Sequence, residues 1–311
     1  MLSLSPVCCC TTSTPERTSP VPDKPPNERQ KDATESPSIH PVVVMANGLG
    51  CTKLLGLGPY AEAFAAEGYA CIVFDYRRWG ASDGTRRNSV YVDEQQADYR
   101  AVVKWARQQP EYDPQRIVLW GFSFAGGHVL TLASDPALNP AASIALNPFC
   151  GRSMPPFQFT GRYLSLSLLG LIDFAADYLG LPPVYIPAVG APGSWTSALA
   201  APGAVEGFAS VTERDGDFPN QINASIFFRA PWHNKPRAAL SNIHNPILLL
   251  AARNDHICPP APIVEIATKC NVESAELLEL EGDHFDAFRG NGDWDAALAG
   301  QIAFLQKQVP V

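Results

Sequence analysis

The chain has no run of about eighteen uninterrupted apolar residues and no basic segment ahead of its short apolar opening, so nothing in it reads as a membrane span or a secretory leader. It also lacks paired-cysteine spacing. Its eight cysteines are Cys8, Cys9, Cys10, Cys51, Cys71, Cys150, Cys258 and Cys270, with no Cys-x-x-Cys and no regular interval. That excludes a disulfide scaffold and a cysteine-held metal, and it reads as thiols in a reducing compartment. Charge is scarce as well: Asp, Glu, Lys and Arg make up 17% of the residues, below the usual share, which excludes coiled coils and long solvated faces. Lys and Arg number 23 against 31 Asp and Glu, for a net charge of −8, and cluster no further than Arg77-Arg78 and Arg86-Arg87. On that balance nucleic acid and membrane are excluded as partners, and a cytoplasmic protein is expected. No repeat with a period of about 20–50 residues is visible, which sets solenoids and propellers aside.

What is present is a chain of 311 residues, 46% of them apolar, long enough for a large α/β core. Residues 1–40 hold seven prolines and almost no large apolar side chain after Val7, so they read as a disordered leader that cannot bury enough surface to order itself. The triplet Cys8-Cys9-Cys10 lies in it with no neighbouring membrane-binding helix, and is read as a plain thiol run.

From Pro41 the sequence changes character. Val42-Val43-Val44-Met45-Ala46 is a short apolar, β-branched run closed by Asn47-Gly48. The same signature returns at residues 70–75, 116–120, 142–146, 246–251 and 275–280, which predicts six buried strands. Helical stretches are predicted between them at 59–67, 93–109, 124–134, 260–269 and 294–307. Strand and helix alternate, which calls for a mostly parallel sheet covered on both faces. One segment breaks the alternation: residues 151–240 are rich in Pro, Gly and aromatics and read as an inserted cap. The expected organisation is therefore a leader at 1–40, a core in two parts at 41–150 and 241–311, and a cap or lid at 151–240.

Gly121-Phe122-Ser123-Phe124-Ala125-Gly126-Gly127 follows one predicted strand and opens the next helix. Strand, tight turn and helix is the setting in which a serine hydroxyl is lifted above a sheet as a nucleophile, with small residues two positions to either side. Gly121 and Ala125 fill those positions, Ala125 replacing the more usual glycine. A serine hydroxyl is a weak nucleophile and needs a base, and the base needs an acid to orient it. The loop after residues 246–251 offers Asp255, and the loop after 275–280 offers His284. Ser123, Asp255 and His284 are the expected catalytic residues, each after its own strand. Asp283 and Asp286 are the rival acids, and His256 has no companion ligands that would make a metal site. The oxyanion donors expected are the backbone N–H groups of Leu49 and Phe124. A dinucleotide fingerprint at Asn47-Gly48-Leu49-Gly50, with Asp75 ending the next strand, is the competing reading; Lys53 stands where its third glycine belongs. No cofactor and no metal are expected.

Taken with Phe74-Asp75-Tyr76-Arg77-Arg78-Trp79-Gly80-Ala81-Ser82-Asp83-Gly84, Gly282-Asp283-His284-Phe285-Asp286 and Leu179-Gly180-Leu181-Pro182-Pro183-Val184-Tyr185, the chain from Pro41 onward resembles α/β-hydrolases. More narrowly, it resembles their fungal polyketide transferase and thiohydrolase branch, of the fumagillin polyketide transferase type. The resemblance implies a Ser/Asp/His triad at Ser123, Asp255 and His284. It also implies a small-molecule acyl or polyketide ester or thioester as substrate, secondary-metabolite biosynthesis as the setting, and a polyketide synthase acyl carrier domain as a partner. Two departures stand out: Asn47 replaces the histidine usual before the oxyanion glycine, and the first two antiparallel strands of the fold are expected to be missing. A sheet so shortened would expose an edge unless the leader covers it.

The predicted cap carries enough aromatic side chains to line an apolar tunnel for an acyl chain, and Trp195, Tyr185 and Phe228 are the substrate-binding candidates. The alternatives are a general carboxylesterase of small esters and a non-catalytic binding module on the same fold. Asn223-Ala224-Ser225 is a glycosylation sequon, expected to be unused.

Overall fold

The computed structural model describes residues 4–7, 39–151, 160–214, 216–233, 236, 242–270 and 275–311. Its frame is a sheet built from β1 (Leu4–Val7), β2 (His40–Ala46), β3 (Ala70–Phe74), β4 (Tyr112–Phe122), β5 (Ala142–Leu146), β8 (Ile247–Ala252) and β9 (Ala275–Leu280), in the order β1-β3-β2-β4-β5-β8-β9. All neighbouring pairs from β3 to β9 are parallel. Strands inside such a sheet are covered on both faces, which is why β3, β5 and β8 are buried along their whole length. β9, expected to be buried as well, lies at the edge, carries Glu276 and Glu279 and is buried only at Leu280. In β2, Val43 and Met45 enter the core on one face while Val42, Val44 and Ala46 enter the core on the other.

Helices α1 (Leu57–Ala66) and α8 (Trp294–Gln308) cover one face, burying Tyr60 and Phe64 against Phe304 and Leu305. Helices α2 (Val92–Ala106), α3 (Phe124–Leu132) and α7 (Pro260–Lys269) cover the other, through Tyr99, Val102, Val129, Leu132 and Ile263. The few polar groups drawn into these layers are paired across them, as when Trp120 of β4 donates from its indole to Gln301 Oε1 of α8 at 2.6 Å. This is the mostly parallel sheet covered on both faces that the strand and helix pattern predicts, and the α/β-hydrolase architecture that the resemblance implies.

The sheet edge differs from expectation. Leu4–Val7 pairs antiparallel with β3, Leu4 opposite Phe74 and Val7 opposite Cys71. One antiparallel strand is therefore present and is drawn from the leader, so residues 1–40 are not structureless throughout. The physical reason is the edge itself: without a partner β3 would present a row of unpaired N–H and C=O groups. An edge position also tolerates Pro6. Residues 1–3 and 8–38, with Cys8, Cys9 and Cys10, lie outside the described residues, and His40, placed in the leader by the sequence reading, is the first residue of β2.

Between β5 and β8 the chain forms α4 (Gly161–Tyr178), β6 (Tyr185–Ile186), α5 (Ala204–Ser210), β7 (Ile222–Asn223) and α6 (Ile226–His233), with β6 and β7 paired antiparallel. An ionic cluster fastens this insertion to the loop after β3. Arg86 Nη2 meets the buried Asp173 carboxylate at 2.9 Å and Arg86 Nε meets Asp177 at 3.0 Å. Asp173 also accepts the backbone N–H groups of Val184 at 2.9 Å and Ser225 at 3.0 Å. A carboxylate taken fully out of water needs that many donors. The other basic pair is neutralised too, Arg77 on Asp98 and Arg78 on Glu94. The sequon residue Asn223 is buried, accepting from Val90 N at 2.8 Å and donating to Ser225 Oγ at 3.0 Å. Among the described residues no helix is long and apolar enough to cross a membrane.

Candidate active site

Ser123 sits on the two-sided turn where β4 becomes α3, with φ 55° and ψ −116°. A non-glycine residue held there stores on the order of 1–3 kcal/mol of backbone strain, which the surroundings must over-determine. They do so through three backbone bonds: Ser123 N–H donates to Leu146 O at 2.9 Å, and Ser123 O accepts from Phe149 N at 2.8 Å and Gly127 N at 3.2 Å. The turn is so tight that a Cβ on Gly121 would lie 2.5 Å from the carbonyl carbon and oxygen of Ala125. Absolute need for glycine therefore falls on position 121, and the alanine at 125 fits.

Asp255 follows β8 and His284 follows β9, and the two meet. His284 Nδ1 lies 2.5 Å from Asp255 Oδ2, with both side chains buried. The other carboxylate oxygen, Oδ1, accepts the N–H groups of Ile257 and Cys258, each at 2.7 Å. Asp255 thus accepts from three donors, which fixes the position of its carboxylate against the imidazole. The rival acids are spent elsewhere in the loop: Asp286 accepts from Asp283 N at 2.8 Å and Asp283 from Phe285 N at 3.0 Å.

Shared neighbours tie the serine to this pair. The Phe122 ring, beside Ser123, lies 4.7 Å from the His284 ring, and Ser123 Oγ lies 3.9 Å from Cys258 Sγ, within reach of a weak sulfur hydrogen bond. With Nδ1 facing Asp255, the imidazole has Nε2 left for chemistry.

Asn47 replaces a histidine without loosening its loop. Its side chain is buried, donates to the carbonyls of Thr52 at 3.0 Å and Leu55 at 2.7 Å, and accepts from Gly48 N at 2.9 Å. Each such bond contributes about 1 kcal/mol, and leaving one unmade in the interior costs more. Leu49 follows in the loop so fixed. Phe124 is the first residue of α3, so its N–H is one of the donors that a helix leaves free at its start. Asp75, which the dinucleotide reading would place on a ribose, is buried and holds two loops together through Lys53 N at 2.7 Å and Ala81 N at 3.2 Å.

Sequence reasoning missed Asn147. It directly follows β5, with φ 43°, donates from Nδ2 to His284 O at 3.0 Å and accepts from Ala252 N at 3.0 Å, so it stitches the end of β8 and the loop after β9 to the end of β5. Its signal was present: an asparagine directly after a buried strand and before Pro148 is suited to the left-handed region. Cys258 was noticed only as a thiol.

Helix α5 packs against this cluster. Phe208 packs its ring 5.0 Å from Phe285 and 4.6 Å from Phe218. A Cβ on Gly207 would strike Phe285 at 2.1 Å, so α5 rests directly on the residue after His284. The three aromatic substrate-binding candidates are not brought together there. Trp195 is 64% exposed and lies against Gly161 at the start of α4. Tyr185 donates to Arg87 O at 2.6 Å. Phe228 is wedged between α6 and α4, where a Cβ on Gly170 would meet its ring at 2.5 Å.

Comparison with known proteins gives the following. Residues 37–283 match the protein family described as Serine aminopeptidase, S33. The quorum-quenching protein AidA of Acinetobacter baumannii is 35% identical over 273 residues, covering 87% of this chain and 88% of that protein. A polyketide transferase of Stachybotrys chlorohalonatus is 33% identical over 281 residues, covering 86% of this chain and 89% of that protein. The crystal structure of the α/β-hydrolase GrgF from a Penicillium species superposes with a TM-score of 0.75 at 26% identity, covering 88% of this chain and 92% of that one.

Proposed function

Because the chain belongs to the Serine aminopeptidase, S33 family of α/β-hydrolases, we propose that it is a serine hydrolase or acyltransferase working through an acyl-serine intermediate on acyl or polyketide esters and thioesters. Ser123 Oγ attacks the acyl carbonyl while His284 Nε2 takes its proton, and Asp255 holds Nδ1–H and faces the imidazolium that forms. The N–H groups of Leu49 and Phe124 receive the oxyanion, the second with the N-terminal dipole of α3 behind it. Collapse expels the thiol or alcohol, which takes the proton from His284. Water or an acceptor alcohol then releases the acyl group by the same steps in reverse.

The observation that carries this reading is the 2.5 Å contact of His284 with Asp255 beside a serine on a strained strand-to-helix turn. The likeness to a polyketide transferase supports a ketide-like acyl chain as substrate, presented free or on a carrier domain. The insertion, as a cap resting on Phe285 through α5, would shield the acyl-serine from water, and how far it does so decides between hydrolysis and transfer. A second use of the same chemistry, inactivation of a quorum signal, is favoured by the 35% identity to AidA.

The test is turnover of a medium-chain acyl pantetheine thioester by the pure protein, with Ser123→Ala as control and with a cyclic ester and an aminoacyl anilide run beside it. Steady acid release that the control loses identifies a thiohydrolase, and acyl transfer seen only with added alcohol identifies a transferase. Preference for the cyclic ester favours the second use. Turnover of the anilide alone, or equal turnover by Ser123→Ala, overturns the reading.

A further inference from the structure

The outward face of α4 is apolar from end to end. Leu164, Leu168, Leu171, Ile172 and Leu179 are exposed by 71, 57, 57, 48 and 67%, and Tyr178 by 88%. The acids of the helix turn the other way, Asp173 buried and Asp177 held by Arg86 and Arg229. These six side chains present on the order of 700 Å², more than the largest apolar patch of an ordinary monomer and close to the roughly 800 Å² each partner gives to a standard interface.

The order of the residues says what fits this face. Positions 164, 168 and 171 mirror positions 179, 175 and 172 about the midpoint between Leu171 and Ile172, so Leu164 answers Leu179, Leu168 answers the exposed Ala175, and Leu171 answers Ile172. A twofold axis through that midpoint lays α4 antiparallel on its own copy over about 27 Å of helix, apolar residue against apolar residue. Other occupants fit less well. Interfacial helices that lie on lipid carry Lys and Arg along their polar side. The one basic residue of α4, Arg162, is spent on the carbonyls of Ser194, Ser197 and Ala198, and the chain carries a net charge of −8. Residues 11–38 of the leader hold one large apolar side chain, Val21, and offer nothing to bury against six.

We propose that the α4 face is the surface through which two copies of this chain pair. The inference is independent of the chemistry assigned to Ser123. It also gives the exposed apolar side chains of the insertion a role: they line an interface between copies.

The test is the solution mass of the full chain by sedimentation equilibrium, for wild type, Leu171→Lys, Leu171→Glu and an equimolar mixture of the two variants. The expected masses are twice 33.6 kDa for wild type, the single-chain value for each variant, and recovery of the doubled mass in the mixture, with thioester turnover per chain unchanged and a melting temperature that depends on protein concentration for wild type but not for either variant. Should Leu171→Lys fail to fold, Tyr178→Arg at the helix end gives the same reading. A monomeric wild type, variants that stay dimeric, or a wild-type monomer that co-floats with phosphatidylcholine vesicles while Leu171→Lys does not, each overturns the proposal.

Discussion

His284 and His128 are both withdrawn from water, and they sit on opposite sides of the elbow. His128, one turn into α3, faces the amide oxygen of Gln95 at 2.8 Å and packs edge-on against Tyr76 and Phe124. Its Nδ1 has no hydrogen-bond partner among the described residues. Burial pushes its pKa down to about 3, because nothing anionic is there to balance a proton. His284 faces the Asp255 carboxylate at 2.5 Å. The same side chain, equally buried, packs beside an amide in one place and lies against a carboxylate in the other, where the proposed mechanism uses it as the base. The partner across the ring makes the difference.

The comparison can be broken or sharpened in four ways. His284→Gln should lower kcat by roughly 10⁶-fold, whereas His128→Gln should leave it within a few-fold, measured on the same thioester. Asp255→Asn should cost roughly 10⁴-fold, less than loss of the histidine, because it leaves the imidazole in the wrong tautomer. Gly207→Ala should lower kcat/KM by roughly ten- to a hundredfold, because its Cβ would strike Phe285 at 2.1 Å and move the neighbour of His284.

The smallest effect on turnover and the clearest on stability belongs to His128→Leu. A histidine with a folded pKa of about 3 and an unfolded one near 6.5 makes the unfolded chain the better proton binder between those values. Its contribution is therefore present above about pH 6.5 and is lost, at up to about 1.4 kcal/mol per pH unit, as pH falls toward 3. Denaturant unfolding of His128→Leu should show a flatter pH dependence over that window than wild type.

The frame was legible in the sequence because parallel strands advertise themselves. Val42 to Ala46 and Ile247 to Ala252 are buried on both faces and so carry no polar residue. Ser123 and Asp255 could be singled out because each follows such a run, and His284 because it follows the next parallel strand, the half-buried β9; topology brings the ends of parallel strands to one side of the sheet. Asn147 and the bonds of Asn47 were not legible: an asparagine's partners depend on which loops approach it, and His284 O lies 137 residues away. Leu4–Val7 was missed because four residues with a proline have no period to read; only the open edge of β3 calls for them. The aromatics of the insertion were misjudged in direction, since composition gives the amount of apolar surface and says nothing of which side it faces. Trp195 and Tyr178 face outward.

The central claim is that Ser123 is the nucleophile and His284 activates it. The most direct measurement is intact-protein mass after brief exposure to a serine-directed fluorophosphonate, followed by peptide mapping of wild type, Ser123→Ala, His284→Gln and His128→Gln. The account predicts one adduct, on the peptide containing Ser123, in wild type and in His128→Gln, none in Ser123→Ala, and a greatly slowed reaction in His284→Gln. An adduct on another residue, or labelling of Ser123 at an unchanged rate in His284→Gln, would contradict it.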